Sequence, residues 1–279
     1  MYLVTTAPIW ICQRLDDVGK MIKSSYHTFR ERSQQMVVDL HVPYLQGYVN
    51  LTELGTTDPL ILSGSYMNEE TALKTENNTV VFTSYLMKLY LACIFNEYEK
   101  AEEYAILSRP YESGASLFGV QQRIFLEAMA LLVLCRKSRR RPHHRQIQKT
   151  KAVRPQSNRK RLQLARGYLK TLKKHASYHK SYLDSNLAHR IVAIEAGIAM
   201  VQGNIELGRE KYKESISIAL KERLWGEQSL ISEIAGMALC DCGYTNDGIS
   251  YLKQAKIVYE EWGAHRKVFE MEQQLKQQT

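Results

Sequence analysis

The chain has 279 residues, 44% hydrophobic and 24% charged, which is ordinary for a globular protein with a large core. Its 6 Pro and 15 Gly are too few for an all-β fold with many turns, and no apolar run approaches the roughly 20 residues of a membrane span. The five Cys lack the spacing of a disulfide framework and predict reduced thiols in a cytosolic or nuclear protein. The net charge of +9 is local, because 17 Lys and Arg and no acid lie between Glu127 and Asp184, whereas the rest of the chain has 21 basic and 29 acidic residues.

Helical periodicity runs through most of the chain. Apolar residues at spacings of three and four predict helices over 10–40, 116–135 and 159–175. Two stretches lack this pattern. Residues 50–78 contain turn-forming Gly and Asp-Pro and are predicted to be mostly loop with a short helix. Residues 137–158 are basic, polar and interrupted by Pro, and we predict a flexible insertion between two helices.

A helix–turn–helix pattern recurs along the chain. Residues 193–220 and 233–259 each contain a turn glycine, Gly203 and Gly243, which are 40 residues apart in the sequence. Small and large residues flank the two turns at identical offsets. An earlier segment, 85–108, fits the same pattern with Asn96 at its turn. The recurrence indicates stacked helical hairpins.

Glycines within the paired helices support this interpretation. Gly236 precedes the second turn, and Gly208 and Gly248 each follow a turn glycine by five residues. Small residues at facing positions allow two helices to approach closely, and a hairpin that cannot bury its apolar face alone must stack on others. We therefore predict an all-α fold, a tetratricopeptide-like α-α superhelix in which residues 1–279 form a single helical-repeat domain.

The C-terminal segment interrupts a well-formed helix with the pair Trp262-Gly263. Gly263 lies where a left-handed helix cap is expected, because glycine adopts that conformation without a Cβ penalty. Trp262 is predicted to be a structural anchor whose ring covers the neighbouring hairpin. Residues 265–276 are predicted to form a terminal helix that exposes the polar stretch EMEQQLKQQ as a cap.

Motifs for catalysis are not found in the sequence. It contains no Gly-rich phosphate loop, no G-x-S-x-G elbow and no H-E-x-x-H. Cys240 and Cys242 form a C-x-C, but no second pair of ligands lies at zinc-finger distance, so we favour a buried small-residue role. His175 and His179 are four residues apart and are interpreted as a solvated face. We expect neither an enzyme nor a cofactor.

Tyrosine is abundant, with 17 residues, and several fall near first helices of the hairpins. A ring with one apolar and one polar end suits a contact surface, although such residues also fill gaps between hairpins. The candidate protein-binding tyrosines are Tyr85, Tyr90, Tyr168, Tyr178 and Tyr182.

The basic run 136–161 has twelve Lys and Arg, including Arg139, Arg140 and Arg141. It is interpreted as a solvated loop, with docking to an acidic protein, nucleic-acid binding or nuclear import as alternatives. The run has no aromatic residue for base stacking and is not an amphipathic helix for a membrane. Ser138 lies among the arginines and is a candidate phosphorylation site.

Several segments together resemble a known helical region. GTTDPLILSGSYMNEE, YLMKLYLACIFNEYEKAEEYA, VQGNIELGREKYKESISIALKE and YLKQAKIVYEEWGAHRKVFEME, with the ending Y-x-x-W-G-A-x-x-K-V, are similar to the repeats that follow the AAA-type, STAND-like ATPase module of multidomain signalling proteins. The resemblance covers about residues 40–275 and implies a sensor or relay arm without catalysis. It implies partners among ATPase, kinase or histidine kinase modules.

The sequence thus favours a non-catalytic scaffold for protein–protein interaction or regulation in signal transduction. It is expected to be cytoplasmic, with nuclear location as the alternative that the basic run allows. A nucleic-acid-binding or nuclear adaptor acting through 136–161 is the second hypothesis. An enzyme fragment that lacks its catalytic domain is the third. No membrane partner is expected.

Overall fold

A computed structural model describes residues 14–55, 58–140, 156–177 and 185–276. These residues form twelve α-helices, one 3-10 helix and no strand, which confirms the predicted all-α class. The α-helices are α1 Leu15–Glu31, α2 Gln35–Thr52, α3 Glu69–Leu73, α4 Asn78–Ile94, α5 Tyr98–Ser108, α6 Leu117–Arg140, α7 Asn158–Ala176, α8 Ala188–Gln202, α9 Ile205–Lys221, α10 Trp225–Asp241, α11 Thr245–Trp262 and α12 His265–Lys276. The 3-10 helix, Arg109–Gly114, follows α5 directly.

Consecutive helices pack against each other in pairs. The pairs are α1–α2, α4–α5, α6–α7, α8–α9 and α10–α11, and α6 additionally contacts α4 and α8. Short turns join the helices of three of these pairs, and each turn has one residue in the left-handed region: Asn96 at φ 63°, Gly203 at 88° and Gly243 at 90°. The turn residues identified in the sequence therefore reverse the chain where the recurring pattern places them.

Residues 10–40 do not form the one helix that the periodicity predicts. In the described part, α1 ends at Glu31 and α2 begins at Gln35, and Ser33 between them has φ 54°. A residue in the left-handed region cannot continue a right-handed helix. The turn has neither Gly nor Pro, and apolar spacing of helical period continues on both sides of it, so the sequence pattern gave no sign of the break.

The helices that precede the two predicted loops extend into them by a few residues. Helix α2 continues to Thr52, and the segment after it contains only the short helix α3. Helix α6 continues to Arg140, so residues 137–140 of the predicted insertion are helical. Residues 141–155 lie outside the described part of the chain. Helix α7 begins at Asn158, as expected.

The crossing of α10 and α11 depends on two glycines. A Cβ on Gly248 would lie 2.7 Å from the carbonyl oxygen of Gly236 and 2.8 Å from the amide nitrogen of Cys240. A Cβ on Gly236 would lie 2.8 Å from the carbonyl oxygen of Gly248. Backbone atoms cannot move aside as a flexible side chain can. The equivalent Gly208 in α9 instead faces the side chain of Met200, whose sulfur would lie 2.5 Å from a Cβ.

The C-terminal helices pack against the N-terminal part of the chain. Trp262 is buried, and its ring lies 6.5 Å from that of Tyr90 in α4 at an interplanar angle of 83°. Gly263 ends α11 with φ 96°, and α12 then packs against α2. Trp262 therefore contacts a helix distant in sequence as well as its own hairpin. Of the predicted polar cap, Gln273 is exposed and Glu270 and Glu272 are half-buried, whereas Met271 is buried. Lys267, just before that stretch, is buried as well.

Helix α6 runs through the core. Over Leu117–Ser138 it is the one helix within the described ranges that is long and apolar enough to cross a membrane, by length and composition. Of the most apolar 18 residues of this stretch, 83% are buried inside the protein. Phe125, Met129 and Leu132, which follow one another at helical spacing, are all buried. Helix α6 thus behaves as a core helix covered by its neighbours.

Candidate functional site

A cluster of buried charges joins α6, α8 and α10. Glu227 of α10 is buried, and its oxygens accept hydrogen bonds from Arg190 of α8 at 2.6–3.2 Å and contact His189. Arg190 also donates to the side-chain oxygen of Gln122 in α6. Burial alone would raise the pKa of the Glu227 carboxyl, but Arg190 and His189 hold the pKa well below its usual value. The carboxylate is ionised and fully engaged by its neighbours, so it fastens helices together.

A second buried charge, Glu233 of α10, connects α11 and α12 to the α4–α5 turn. It accepts hydrogen bonds from Lys267 of α12 at 2.7 Å, from Asn96 at the α4–α5 turn at 2.7 Å and from Tyr259 of α11 at 3.0 Å. Lys267 is 0% exposed and Glu233 is 1% exposed. One carboxylate therefore connects four structural elements in the interior.

Tyr168, a predicted contact residue, belongs to a third internal cluster. Its hydroxyl donates to Glu127 of α6 at 2.8 Å, and the Arg123 guanidinium lies 5.6 Å from its ring centroid. Glu127 is also paired with Arg123 at 2.5 Å and with Arg109. Burial raises the pKa of the Tyr168 phenol, and the negative Glu127 raises it further. Both the ring and the hydroxyl of Tyr168 are thus committed to packing between α6 and α7.

The two ends of the basic run 136–161 are structural. Arg136 pairs with Asp241 at 3.0 Å, and Arg161 pairs with Glu102 at 2.7 Å, with both arginines largely buried. Ser138, the candidate phosphorylation site, is half-buried, and its hydroxyl donates to the backbone oxygen of Leu134. The interpretation of the whole run as a solvated loop therefore does not hold for Arg136 and Arg161.

Three half-buried tyrosines form a surface that we call the tyrosine patch: Tyr85 of α4, Tyr104 of α5 and Tyr111 of the 3-10 helix. The rings of Tyr85 and Tyr111 are stacked, with centroids 6.2 Å apart and an interplanar angle of 23°. The ammonium group of Lys88 lies 4.7 Å from the ring centroid of Tyr104. Tyr85 is thus the predicted contact residue that retains an accessible ring within an aromatic cluster.

Polar groups around the tyrosine patch fix its geometry. Lys88 donates to Glu69 at 2.6 Å and to the backbone oxygen of Leu60 at 3.0 Å, which ties the segment before α4 to that helix. Burial raises the pKa of both Tyr85 and Tyr104, and the charges of Glu69 and Glu103 add to the rise for both phenols. The charges of the same two carboxylates therefore act on both phenols. The phenols are neutral at physiological pH and present intact hydrogen-bond donors.

The remaining predicted contact residues do not join this surface. Tyr90 is 1% exposed and packs against Trp262 in the interior. Arg139 and Arg140 lie in the last turn of α6, where the backbone alone is described. Tyr178, Tyr182 and Arg141 lie outside the described residues.

The cysteines and histidines singled out in the sequence form no metal centre in the described ranges, where no group of three or more His, Cys, Asp or Glu is placed to hold an ion. Cys240 and Cys242 are half-buried and form no disulfide within the described residues, and so are less buried than predicted. The ring of His175 lies 3.4 Å from the amide nitrogen of Gln121. His179 lies outside the described residues.

Sequence reasoning missed Tyr104 and Tyr111 as partners of Tyr85, and it missed the buried acids. The acids lie on helices beside small residues, and Glu227, Gln228, Ser229, Ser232 and Glu233 make up much of one helix that is buried on nearly all sides. The sequence feature that could have indicated the buried acids is this run of polar residues within one helix. In the sequence alone such a run looks the same as the solvated face of a surface helix.

No protein-family model, curated protein or solved structure matches the chain. The fold and the candidate site together define an all-α protein of packed helices, whose buried charges connect its helices and whose tyrosine patch remains partly accessible.

Proposed function

We propose that the chain is a non-catalytic, tetratricopeptide-like scaffold that mediates protein–protein interaction or regulation in signal transduction. The observation that carries the proposal is the tyrosine patch, a half-buried aromatic surface on α4, α5 and the 3-10 helix. Tyrosine is enriched where proteins meet, because its ring supplies contact area at small cost in side-chain entropy and its hydroxyl supplies a hydrogen bond.

The use of the buried charges supports a non-catalytic role. Glu227 and Glu233 are almost completely shielded from solvent and are bonded to several neighbouring helices. A catalytic acid or base has to reach a substrate proton, directly or through one water. These two carboxylates are instead part of the packing that gives the scaffold its shape.

The chemistry of the tyrosine patch indicates the kind of segment that would bind there. Glu69 already pairs with Lys88, whose ammonium group also lies over the ring of Tyr104. The half-buried ring of Tyr85 and the carboxylate of Glu103 are then the groups that would meet a partner presenting an Arg or Lys side chain next to apolar groups. The sequence resemblance implies that such partners are ATPase, kinase or histidine kinase modules of the same pathway. On that basis we propose that the chain is part of, or derived from, a multidomain ATPase or kinase.

Affinity capture followed by mass spectrometry tests the proposal. The variant Tyr85→Ser/Tyr111→Ser removes the stacked pair, and Tyr244→Ser is the control, since Tyr244 is an exposed tyrosine on another part of the surface, 38% accessible. Loss of central interface tyrosines typically weakens binding by about 2 kcal/mol, or about 30-fold. We expect the variant to lose partners that the wild type and the control retain. Identical capture by all three chains would contradict the proposal.

A further inference from the structure

Helix α7 has an exposed face that holds four cations and no acid, with Gln163 as the polar residue among them. Arg159, Arg166, Lys170 and Lys174 are all exposed and follow each other at spacings of seven, four and four residues. At 100° per residue these spacings place the four side chains on one side of the helix, in a row about 22 Å long. We call this row the basic face. It extends well beyond the run 136–161 on which the sequence hypothesis was based.

The charges of the basic face are not neutralised within the described structure. Two other cations of α7 have acidic partners: Arg161 pairs with Glu102, and Lys173 pairs with Glu195 at 2.6 Å. None of the four residues of the basic face forms an ion pair with a described acid, and α7 itself contains no acidic residue. The row is therefore a concentrated positive charge on a rigid helix.

The start of α7 adds to this positive potential. Arg159 and Lys160 lie in its first turn, which has no acidic residue. The N-terminus of a helix has a partial positive charge, so cations there are unfavourable and an external anion is favoured. The placement of these residues costs stability in the isolated chain, and a bound polyanion would offset that cost.

The neighbouring side chains distinguish among polyanionic partners. Tyr168 is turned inward onto Glu127, and Leu162, Leu164 and Leu169 are half-buried rather than exposed on the row. Specific protein interfaces usually have an aromatic or apolar centre, and membrane-surface helices need an apolar face to insert. Phosphate backbones are bound by surfaces that are polar and strongly positive, without base contacts. Nucleic acid is thus the partner that the composition of the face fits best.

We propose that the basic face of α7 binds the phosphate backbone of nucleic acid without reading its sequence. Up to four phosphates would be contacted, one by each cation. Because each neutralised phosphate releases condensed counterions, four contacts on duplex DNA contribute a slope of about −3.6 to log K against log salt concentration. A rise from about 50 to about 200 mM salt would then weaken this contribution to binding by about 150-fold.

Fluorescence anisotropy with a labelled DNA duplex of about 20 bp tests the proposal, because sites of this size hold several phosphate contacts. The variant Arg166→Gln/Lys170→Gln/Lys174→Gln removes three cations of the basic face. A matched control, Lys20→Gln/Lys213→Gln/Lys253→Gln, removes three exposed cations from other helices. We expect the first variant to bind more weakly and to show a salt slope less steep by about 2.7, while the control retains nearly the wild-type slope.

Three results would overturn the proposal. One is the absence of binding at low salt. Another is an equal loss of affinity and slope in the two variants, which would mean that only net charge matters. The third is binding to poly-glutamate or to phosphatidylserine vesicles as tight as binding to the duplex, which would assign the face to an acidic protein or to a membrane. Circular dichroism of both variants verifies that the exposed substitutions leave the helices intact.

Discussion

Replacing Lys267 by Met tests the role of the buried charge on Glu233. The substitution keeps side-chain volume and removes the ammonium group that lies 2.7 Å from the carboxylate. Glu233 would then keep two neutral donors, Asn96 and Tyr259, around a charge that is 1% exposed. Breaking one partner of a buried ion pair costs about 3–5 kcal/mol, so we expect the free energy of unfolding to fall by that amount.

A surface pair provides the matched comparison. Lys256 and Glu272 also lie 2.7 Å apart and also connect α11 to α12, but both side chains are accessible to solvent, at 27% and 43%. Exposed pairs contribute about 0–1 kcal/mol, so Lys256→Met should change stability by less than about 1 kcal/mol. Urea denaturation monitored by circular dichroism gives both values from the midpoint and slope of the transition.

A double variant separates the lost charge pair from lost packing. Adding Glu233→Gln to Lys267→Met removes the unpaired buried charge and leaves a side-chain oxygen for Asn96 and Tyr259. The double variant should therefore be more stable than Lys267→Met alone. The reasoning would be refuted if Lys267→Met cost no more than Lys256→Met, or if the double variant were the least stable of the three.

Two further predictions concern packing and pH. Gly248→Ala would place a Cβ 2.7 Å from the Gly236 carbonyl oxygen, and we expect it to lower stability by about 1–3 kcal/mol, whereas Gly167→Ala, which meets nothing within 4 Å on α7, should raise it by up to about 1 kcal/mol. Thermal denaturation of the two variants measures these changes, and an equal change in stability for both would contradict a close crossing of α10 and α11. Because the folded chain depresses the pKa of Glu227, this carboxyl contributes stability above its unfolded pKa near 4.5 and loses that contribution as the pH falls. Glu227→Gln leaves Arg190 without a charged partner, so the variant should be less stable than wild type at pH 7. Below pH 4.5 its free energy of unfolding should fall less steeply with pH than that of wild type. Urea titrations at several pH values measure this dependence, and the same dependence on pH in both proteins would contradict the prediction.

Features governed by local physical chemistry were predictable from the sequence. The turns at Gly203 and Gly243 and the cap at Gly263 follow from the freedom of glycine to adopt positive φ. Helices α6 and α7 follow from apolar spacing, and their bounds differ from the prediction by only a few residues at most ends. The turn at Ser33 was not predicted, because a non-glycine residue reverses the chain there without a sequence signal.

Features that depend on distant contacts could not be predicted. Asn96 and Glu233 are 137 residues apart, and Arg136 and Asp241 are 105 residues apart, and nothing in local spacing indicates that they meet. The solvent exposure of a side chain likewise depends on contacts with distant parts of the chain. Tyr85 and Tyr90 both lie on α4, yet one is half-buried on the surface and the other is fully buried, because helices distant in sequence cover only Tyr90.

Hydrogen–deuterium exchange of the chain, free and bound to a partner recovered by affinity capture, tests the central claim most directly. Binding should slow exchange in peptides that cover residues 79–88 of α4 and residues 98–114 of α5 and the 3-10 helix, where the tyrosine patch lies. The interior helix α10 should be unchanged. Slowed exchange confined to other surfaces, with no change around Tyr85 and Tyr111, would contradict the assignment of the tyrosine patch as the protein-binding surface.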